Sequence, residues 1–388
     1  QSAPSKLSKK KKSLTLKEKR KKLSEKEKKK KGESKNPNSA SPPQSQLNNL
    51  MEQYQNGQYD EAEKLAVLIT QQFPEHQFAW KVLGALLGQK GMKAEALNAT
   101  QKAVQLVPQD AEAHNNLGIT LKEVGRLEEA EASYRQAIAL KPDYAEAHSN
   151  LGIVLYISGD IDSGLESLEK AKNIDPNLVS NKIILTILQA REARRKTEGS
   201  AINISNLGYG ADQFPGPFFA NRVVEAELIT TLYEMNSRKL DVTPDTRYGN
   251  GRCSPDYKMF EDDRSVIKTV ARDLISIMKL AVKSDVFVVD SFFNIYEVGC
   301  GITPHTHIVR LDTSKGLNLA KQKYSLVYYL AVGDQNCSEP GILRLYDPDE
   351  EFLPSEGMIV IFPADRKHSA VYGGKTDRVM IGVNFYSL

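Results

Sequence analysis

The stretch Ala111–Pro142, AEAHNNLGITLKEVGRLEEAEASYRQAIALKP, decides the fold of the first half of the chain. It reads as two amphipathic helices separated at Gly125, and the sequence on either side has the same layout. Pro74, Pro108, Pro142 and Pro176 recur at a spacing of 34, as do Gly57, Gly91, Gly125 and Gly159, and again Gly84, Gly118 and Gly152. Ala62, Ala96, Ala130 and then Gly164 keep the same register. A fixed period of this length marks stacked helix–turn–helix units, each of which buries its apolar face against the next. Leu83, Leu117 and Leu151, with Leu87, Leu121 and Leu155, supply the apolar stripe. The first glycine of each unit lets its two helices touch, and the second ends the first helix in a left-handed turn. The proline closes the second helix.

Four units follow, near residues 43–76, 77–110, 111–144 and 145–178, with Leu178–Lys196 as a capping helix, within a repeat domain over 45–198. Ala111–Pro142 resembles a consensus tetratricopeptide unit. The resemblance implies an α-solenoid whose concave groove takes a protein or peptide. Asn116 and Asn150 hold equivalent positions, and an amide there can both donate to and accept from an extended backbone. They resemble the asparagine ladder of O-linked N-acetylglucosamine transferase repeats and are the expected peptide-binding residues. Val82 stands at the equivalent place one unit earlier, so the ladder has two rungs.

The chain has 388 residues, 40% of them hydrophobic and 26% charged, as a packed globular protein requires. It has no run of about 18 apolar residues, so no membrane span is expected. The net charge of +3 hides an asymmetry: residues 1–31 hold fifteen Lys/Arg against three Glu, which leaves the rest of the chain at −9. Residues 1–44, Lys-rich and then rich in Ser, Pro, Asn and Gln, cannot bury enough apolar surface to fold alone. They are expected to form a disordered, solvated tether, with nucleic acid or an anionic surface as an alternative partner. Cys253, Cys300 and Cys337 are odd in number and form no CxxC pair, which suits a reducing, cytoplasmic setting.

Residues 199–388 form a second domain. Helices are expected at Val223–Asn236 and Arg264–Lys283, then strands at 285–296, 302–309, 324–332, 341–346, 357–363, 368–372 and 378–386. The chain as a whole is thus multidomain α and α+β, with a jelly-roll (double-stranded β-helix) and packing helices behind the solenoid. Half of its six histidines fall among these strands: His305, His307 and His368. Residues two apart on a strand share a face, so His305 and His307 project together. The turn at Gly373–Gly374 is expected to set His368 opposite Arg378. Three imidazoles suit Fe(II), Zn or Cu, and a neighbouring arginine suits a carboxylate.

NIYEVGCGITPHTH (294–307), YSLVYYLAV, EPGILRLYDP, LPSEGMIVIFPADRKHSAV and DRVMIGVNF follow one another in the order of the 2-oxoglutarate/Fe(II) oxygenases. The chain resembles the prolyl-hydroxylase-like members, in particular a group of bacterial and phage oxygenases with His-x-His as the first ligand pair. The resemblance implies that His305 and His368 bind Fe(II) and that His307 stands where the usual carboxylate would. It also implies that Arg378 holds the distal carboxylate of 2-oxoglutarate, with Tyr296 and Tyr328 as further contacts. The implied reaction consumes O2 and 2-oxoglutarate and hydroxylates a substrate C–H bond. The third histidine leaves the metal one positive charge richer; Asp312 is too far along the strand to replace it, and Asp290 is a weak alternative. An oxygenase acting on a protein held by the repeats unites both domains. The competing readings are a protein-interaction adaptor with an inactive barrel, and a three-histidine dioxygenase acting on a small molecule.

Overall fold

The computed structural model describes residues 41–198, 216–240 and 251–388, apart from Val298, Arg310 and Lys315. The lysine-rich stretch over 1–40 lies outside these residues, and with it the expected tether.

Each 34-residue unit contains one helix pair. They are α1 Gln44–Gln55 with α2 Tyr59–Gln72, α3 Gln77–Gln89 with α4 Lys93–Leu106, α5 Ala111–Glu123 with α6 Leu127–Leu140, and α7 Ala145–Ile157 with α8 Ile161–Ile174. Helix α9, Val179–Glu198, closes the stack. Gly57, Gly91, Gly125 and Gly159 have φ between 73° and 96° except Gly91 at 72°, the left-handed turn that ends the first helix of every pair. Gly118 is needed for close approach: a Cβ there would lie 2.6 Å from Tyr134 Cε1.

Beyond the solenoid the chain is β-rich. A seven-stranded antiparallel sheet runs in the order β1 (Phe218–Asn221), β9 (Met358–Pro363), β6 (Lys323–Ala331), β11 (Arg378–Ser387), β4 (Val286–Tyr296), β3 (Gly251–Cys253), β2 (Arg238–Lys239). A four-stranded sheet runs β5 (Cys300–His305), β10 (His368–Tyr372), β7 (Pro340–Leu345), β8 (Glu350–Phe352). Helices α10 (Ala226–Glu234) and α11 (Ser265–Val282) cover the outer face of the large sheet. Leu228, Leu274 and Met278 there pack on Phe293, Leu326 and Ile381. On the inner face Tyr296, Tyr329, Phe362 and Met380 meet Leu343, Leu345 and Tyr372 of the small sheet. Successive residues of one strand thus serve two cores, which is why the central strands read as continuous apolar runs.

The expected turn geometry at Gly373–Gly374 is corrected here. Strands β10 and β11 belong to different sheets; His368 pairs with His305 and Leu345, whereas Arg378 pairs with Tyr296. A connection of five residues is long enough to cross between sheets, so a hairpin was not forced.

The two halves share a core. Ile184, Leu185 and Leu188 of α9, with Tyr156, pack on Leu317, Leu319 and Tyr386. Buried Arg191 of α9 donates through Nη2 to the Leu317 carbonyl and to Gln322 Oε1. The segment that joins β5 to β6 is therefore fastened to the last repeat. Arg191→Ala strands two buried acceptors and is expected to cost about 2–3 kcal/mol. Chemical unfolding measures this; an unchanged midpoint and slope would show that the junction is ornamental.

Candidate functional site

The three strand histidines come together. Their nearest ligand atoms all lie within 4.8 Å of one another, and His307 Nε2 is 3.2 Å from His368 Nε2. The route differs from that expected, because β5 ends at His305 and His307 lies just beyond it, with its backbone N–H donating to the Ala364 carbonyl at 2.9 Å. The cluster is thus made by two strands and a pinned turn. His305 Nδ1 faces the Thr303 carbonyl at 2.9 Å, and His368 Nδ1 faces the Arg366 carbonyl at 3.1 Å. A carbonyl only accepts, so Nδ1 carries the hydrogen in both rings and Nε2 keeps its lone pair for an ion.

Electrostatics agree with that protonation state. Burial holds His307 down at about 3, helped by the neighbouring rings and Lys323. Burial and His305 hold His368 at about 4. Burial lowers His305 too. The rings are neutral near pH 7, as metal ligands must be. Asp312, weighed as a ligand, is fully engaged elsewhere: it pairs with Lys323 Nζ at 2.9 Å and accepts from the Val309 N–H and the Tyr386 hydroxyl.

Arg378 is completely buried inside the same sheet pair, 4.9 Å from the centre of the Tyr329 ring. Its Nη1 donates to the Gly341 carbonyl, while Nε and Nη2 have no partner among the described residues. Gly341 is essential to this seat, since a Cβ there would fall 1.6 Å from Arg378 Nη1. Tyr296 pairs across the ladder from Arg378 and borders the histidine cavity. Tyr328 does not join them, which corrects the expectation. It points to the helix-covered face, where its hydroxyl donates to the Val223 carbonyl at 3.0 Å and accepts from Arg222. Its neighbour Tyr329 faces inward instead. One residue of strand parity separates the two, and an all-apolar strand such as YSLVYYLAV has no alternation from which to read it.

Beside the histidines lies a cavity of about 470 Å³, bounded by β4, β5 and the turn after His305. A second, of about 740 Å³, lies between the repeats and the β5–β6 segment, and Asn150, Ile184, Leu311 and Ser314 line it. Asn150 thus faces the groove, but its amide donates to Asn115 at 3.0 Å. Asn116 borders a smaller cavity with Gly88 and Thr100. The two asparagines occupy separate recesses.

Family models described as tetratricopeptide repeat match residues 99–132 and 145–178, and one described as TPR repeat matches 120–159. The solenoid is a tetratricopeptide array. It is similar to MamA from Desulfovibrio magneticus at 20% identity, over 40% of this chain and 87% of that one, with a TM-score of 0.36. It is also similar to a Thermobaculum terrenum O-GlcNAc transferase mutant at 26% identity, over 36% and 27% of the two chains, TM-score 0.33. A third likeness is to YrrB, described as a TPR protein with an unusual peptide-binding site, at 27% identity over 32% and 65%, TM-score 0.31. No curated protein matches the chain. Tetratricopeptide arrays scaffold protein interactions. No helix among the described residues is long and apolar enough to cross a membrane.

The depressed histidines have a measurable consequence for the chelator-treated protein. Their ordinary value is 6.5, so as pH falls from about 6.5 the unfolded chain gains protons that the folded cluster refuses. Stability is therefore expected to decline between pH 6.5 and 5, and His307→Asn to flatten that decline. Equal slopes for the two proteins in denaturant titrations would contradict it.

Proposed function

We propose that the chain is an Fe(II)- and 2-oxoglutarate-dependent oxygenase that hydroxylates a protein or peptide recruited by the tetratricopeptide array. The observation that carries this reading is Arg378: a wholly buried guanidinium with two nitrogens lacking a partner, in the same interior as three neutral imidazoles. A buried unpaired cation is costly, and a planar carboxylate is the group that answers its fork geometry. The distal carboxylate of 2-oxoglutarate meets that need. The strand orders support the reading as well, since β4-β11-β6-β9 facing β5-β10-β7-β8 is the arrangement expected of a double-stranded β-helix.

When bound, Fe(II) and 2-oxoglutarate would supply the oxidising chemistry, with O2 consumed and succinate and CO2 released as a substrate C–H bond is hydroxylated. The chain's own residues do the rest. His305 and His368 offer Nε2 because their Nδ1 hydrogens are tied to carbonyls. His307 completes the face and adds no negative charge. Arg378 takes the far end of the co-substrate, held by Gly341 and stacked near Tyr329, while Tyr296 borders its path. The inward aromatic and aliphatic side chains exclude water from the guanidinium, which strengthens its grip.

Anaerobic addition of Fe(II) and then 2-oxoglutarate is expected to produce a visible charge-transfer absorption, and aerobic incubation to form succinate. His368→Ala is expected to abolish both. Arg378→Ala is expected to weaken 2-oxoglutarate by about 30-fold or more, the loss of a buried charge-assisted contact. Iron binding without the absorption would transfer the reading to a three-histidine dioxygenase. Failure to bind metal at all would leave protein association through the repeats as the function.

A further inference from the structure

The wall of the histidine cavity carries a polar device that neither the metal nor the co-substrate uses. Along β4 the residues facing the cavity are Asp290, Phe292, Asn294 and Tyr296. The sheet register sets Ser325 of β6, Asn384 of β11 and Asp290 of β4 side by side in one row. Ser325 Oγ donates to Asn384 Oδ1 at 2.8 Å, and Asn384 Nδ2 donates to Asp290 Oδ2 at 3.1 Å. Ser325 and Asn384 are 2% and 6% exposed. The serine fixes which end of the asparagine amide faces Asp290, and the asparagine in turn fixes the carboxylate. A ladder irregularity at Asn384/Phe385 falls at this row, where such a kink re-aims side chains.

Apolar residues at these three places would stabilise a barrel interior at least as well, so the row calls for a use. Among the described residues no cation is paired with its charge. The partner of Asp290 is a neutral amide, and its Oδ1 has none among the described residues. The nearby cation that also borders the cavity, Lys323, is committed to Asp312 in a pair that is 2% and 0% exposed. The histidines are neutral, and Asp290 is not among the ligand atoms of their cluster. Apolar side chains share the cavity wall with Asp290: Phe292 meets Tyr257 edge to face at 5.3 Å, and Leu240 and Val309 line it as well. Tyr257 holds a left-handed backbone, φ 58°, a conformation that an aromatic residue adopts only where its surroundings enforce it.

A cavity whose wall combines apolar side chains with a carboxylate held only by a neutral amide is the complement of an aliphatic stem tipped with a positive nitrogen. We propose that this cavity admits a lysine or arginine side chain of a protein substrate, and that Asp290 is the specificity-determining residue that pairs with its charge. The cavity's place beside the histidines makes it the substrate pocket of the oxygenase proposed above, and the inference rests on that reading only for what happens after binding. Asn384 and Ser325 are positioning residues, which act through Asp290.

The test uses the full chain and acetylated, amidated pentapeptides Ala-Ala-Xaa-Ala-Ala with lysine, arginine, norleucine or glutamine at Xaa. Binding is measured by calorimetry, and succinate formation is measured separately. Lysine or arginine peptides are expected to bind at least tenfold tighter than the norleucine and glutamine peptides. Asp290→Asn, which keeps size and shape, is expected to remove that preference, a loss of about 10–100-fold for a charge-assisted contact. Asp290→Glu is expected to retain part of it, and Ser325→Ala to reduce it with circular dichroism unchanged. Equal binding of lysine and norleucine peptides, no binding of any peptide, or an Asp290→Asn protein that still prefers the cation would overturn the proposal. Cation-selective binding without succinate formation would keep the pocket assignment and remove the oxygenase reading, so the two fail separately.

Discussion

The arrangement at the histidines depends on how the segment between His307 and Lys323 is held. That segment has little secondary structure of its own, and left free it would let His307 wander. One buried carboxylate organises it: Asp312 gathers the Lys323 ammonium, the Tyr386 hydroxyl and the Val309 N–H, three donors from three parts of the chain. A charge so deeply buried is stable only when it is paired and both of its oxygens are hydrogen-bonded, and here they are. The Ala364 carbonyl pins the near end at His307, and Arg191 pins the far end at Leu317 and Gln322. The cluster inherits its order from these anchors.

The anchors also explain why the two halves meet where they do. Helix α9 is apolar on the side that faces Leu317 and Leu319, and Arg191 near its basic end reaches into the second domain. Capping the solenoid and seating the β5–β6 segment are one packing event. The repeats bring their own local order, with glycine turns and helix-to-helix contacts spaced 34 apart, and so provide a rigid surface for a segment that cannot order itself.

How much of this could be read in advance varied with the kind of constraint. The repeats were legible almost to the residue, because every unit solves the same packing problem and Gly57, Gly91, Gly125 and Gly159 mark the turns. The histidine trio was legible because histidine is scarce and the spacing is distinctive. Tyr328 was misplaced because a strand buried on both faces shows no alternation. The expected pairing of His368 with Arg378 failed because sequence proximity across a turn does not say whether two strands share a sheet. Gly341 left no readable signal; its role appears only once Arg378 lies against its carbonyl. The short strands β1, β2, β3 and β8 were missed, as they have two to four residues each and take their form from their neighbours.

The shared core between α9 and the β5–β6 segment has a further meaning. Most modular proteins carry a recruiting unit on a slack leash, so that local concentration rises while direction is left to chance. A junction with Leu188, Leu317 and Tyr386 packed into one cluster has no slack. The groove beside Asn150 and the cavity beside His305 are two marks on one ruler. On the proposed function, a ligand long enough to touch both would be read for the number of residues between its docking point and its far end, so that selectivity would reside in spacing as much as in side-chain chemistry.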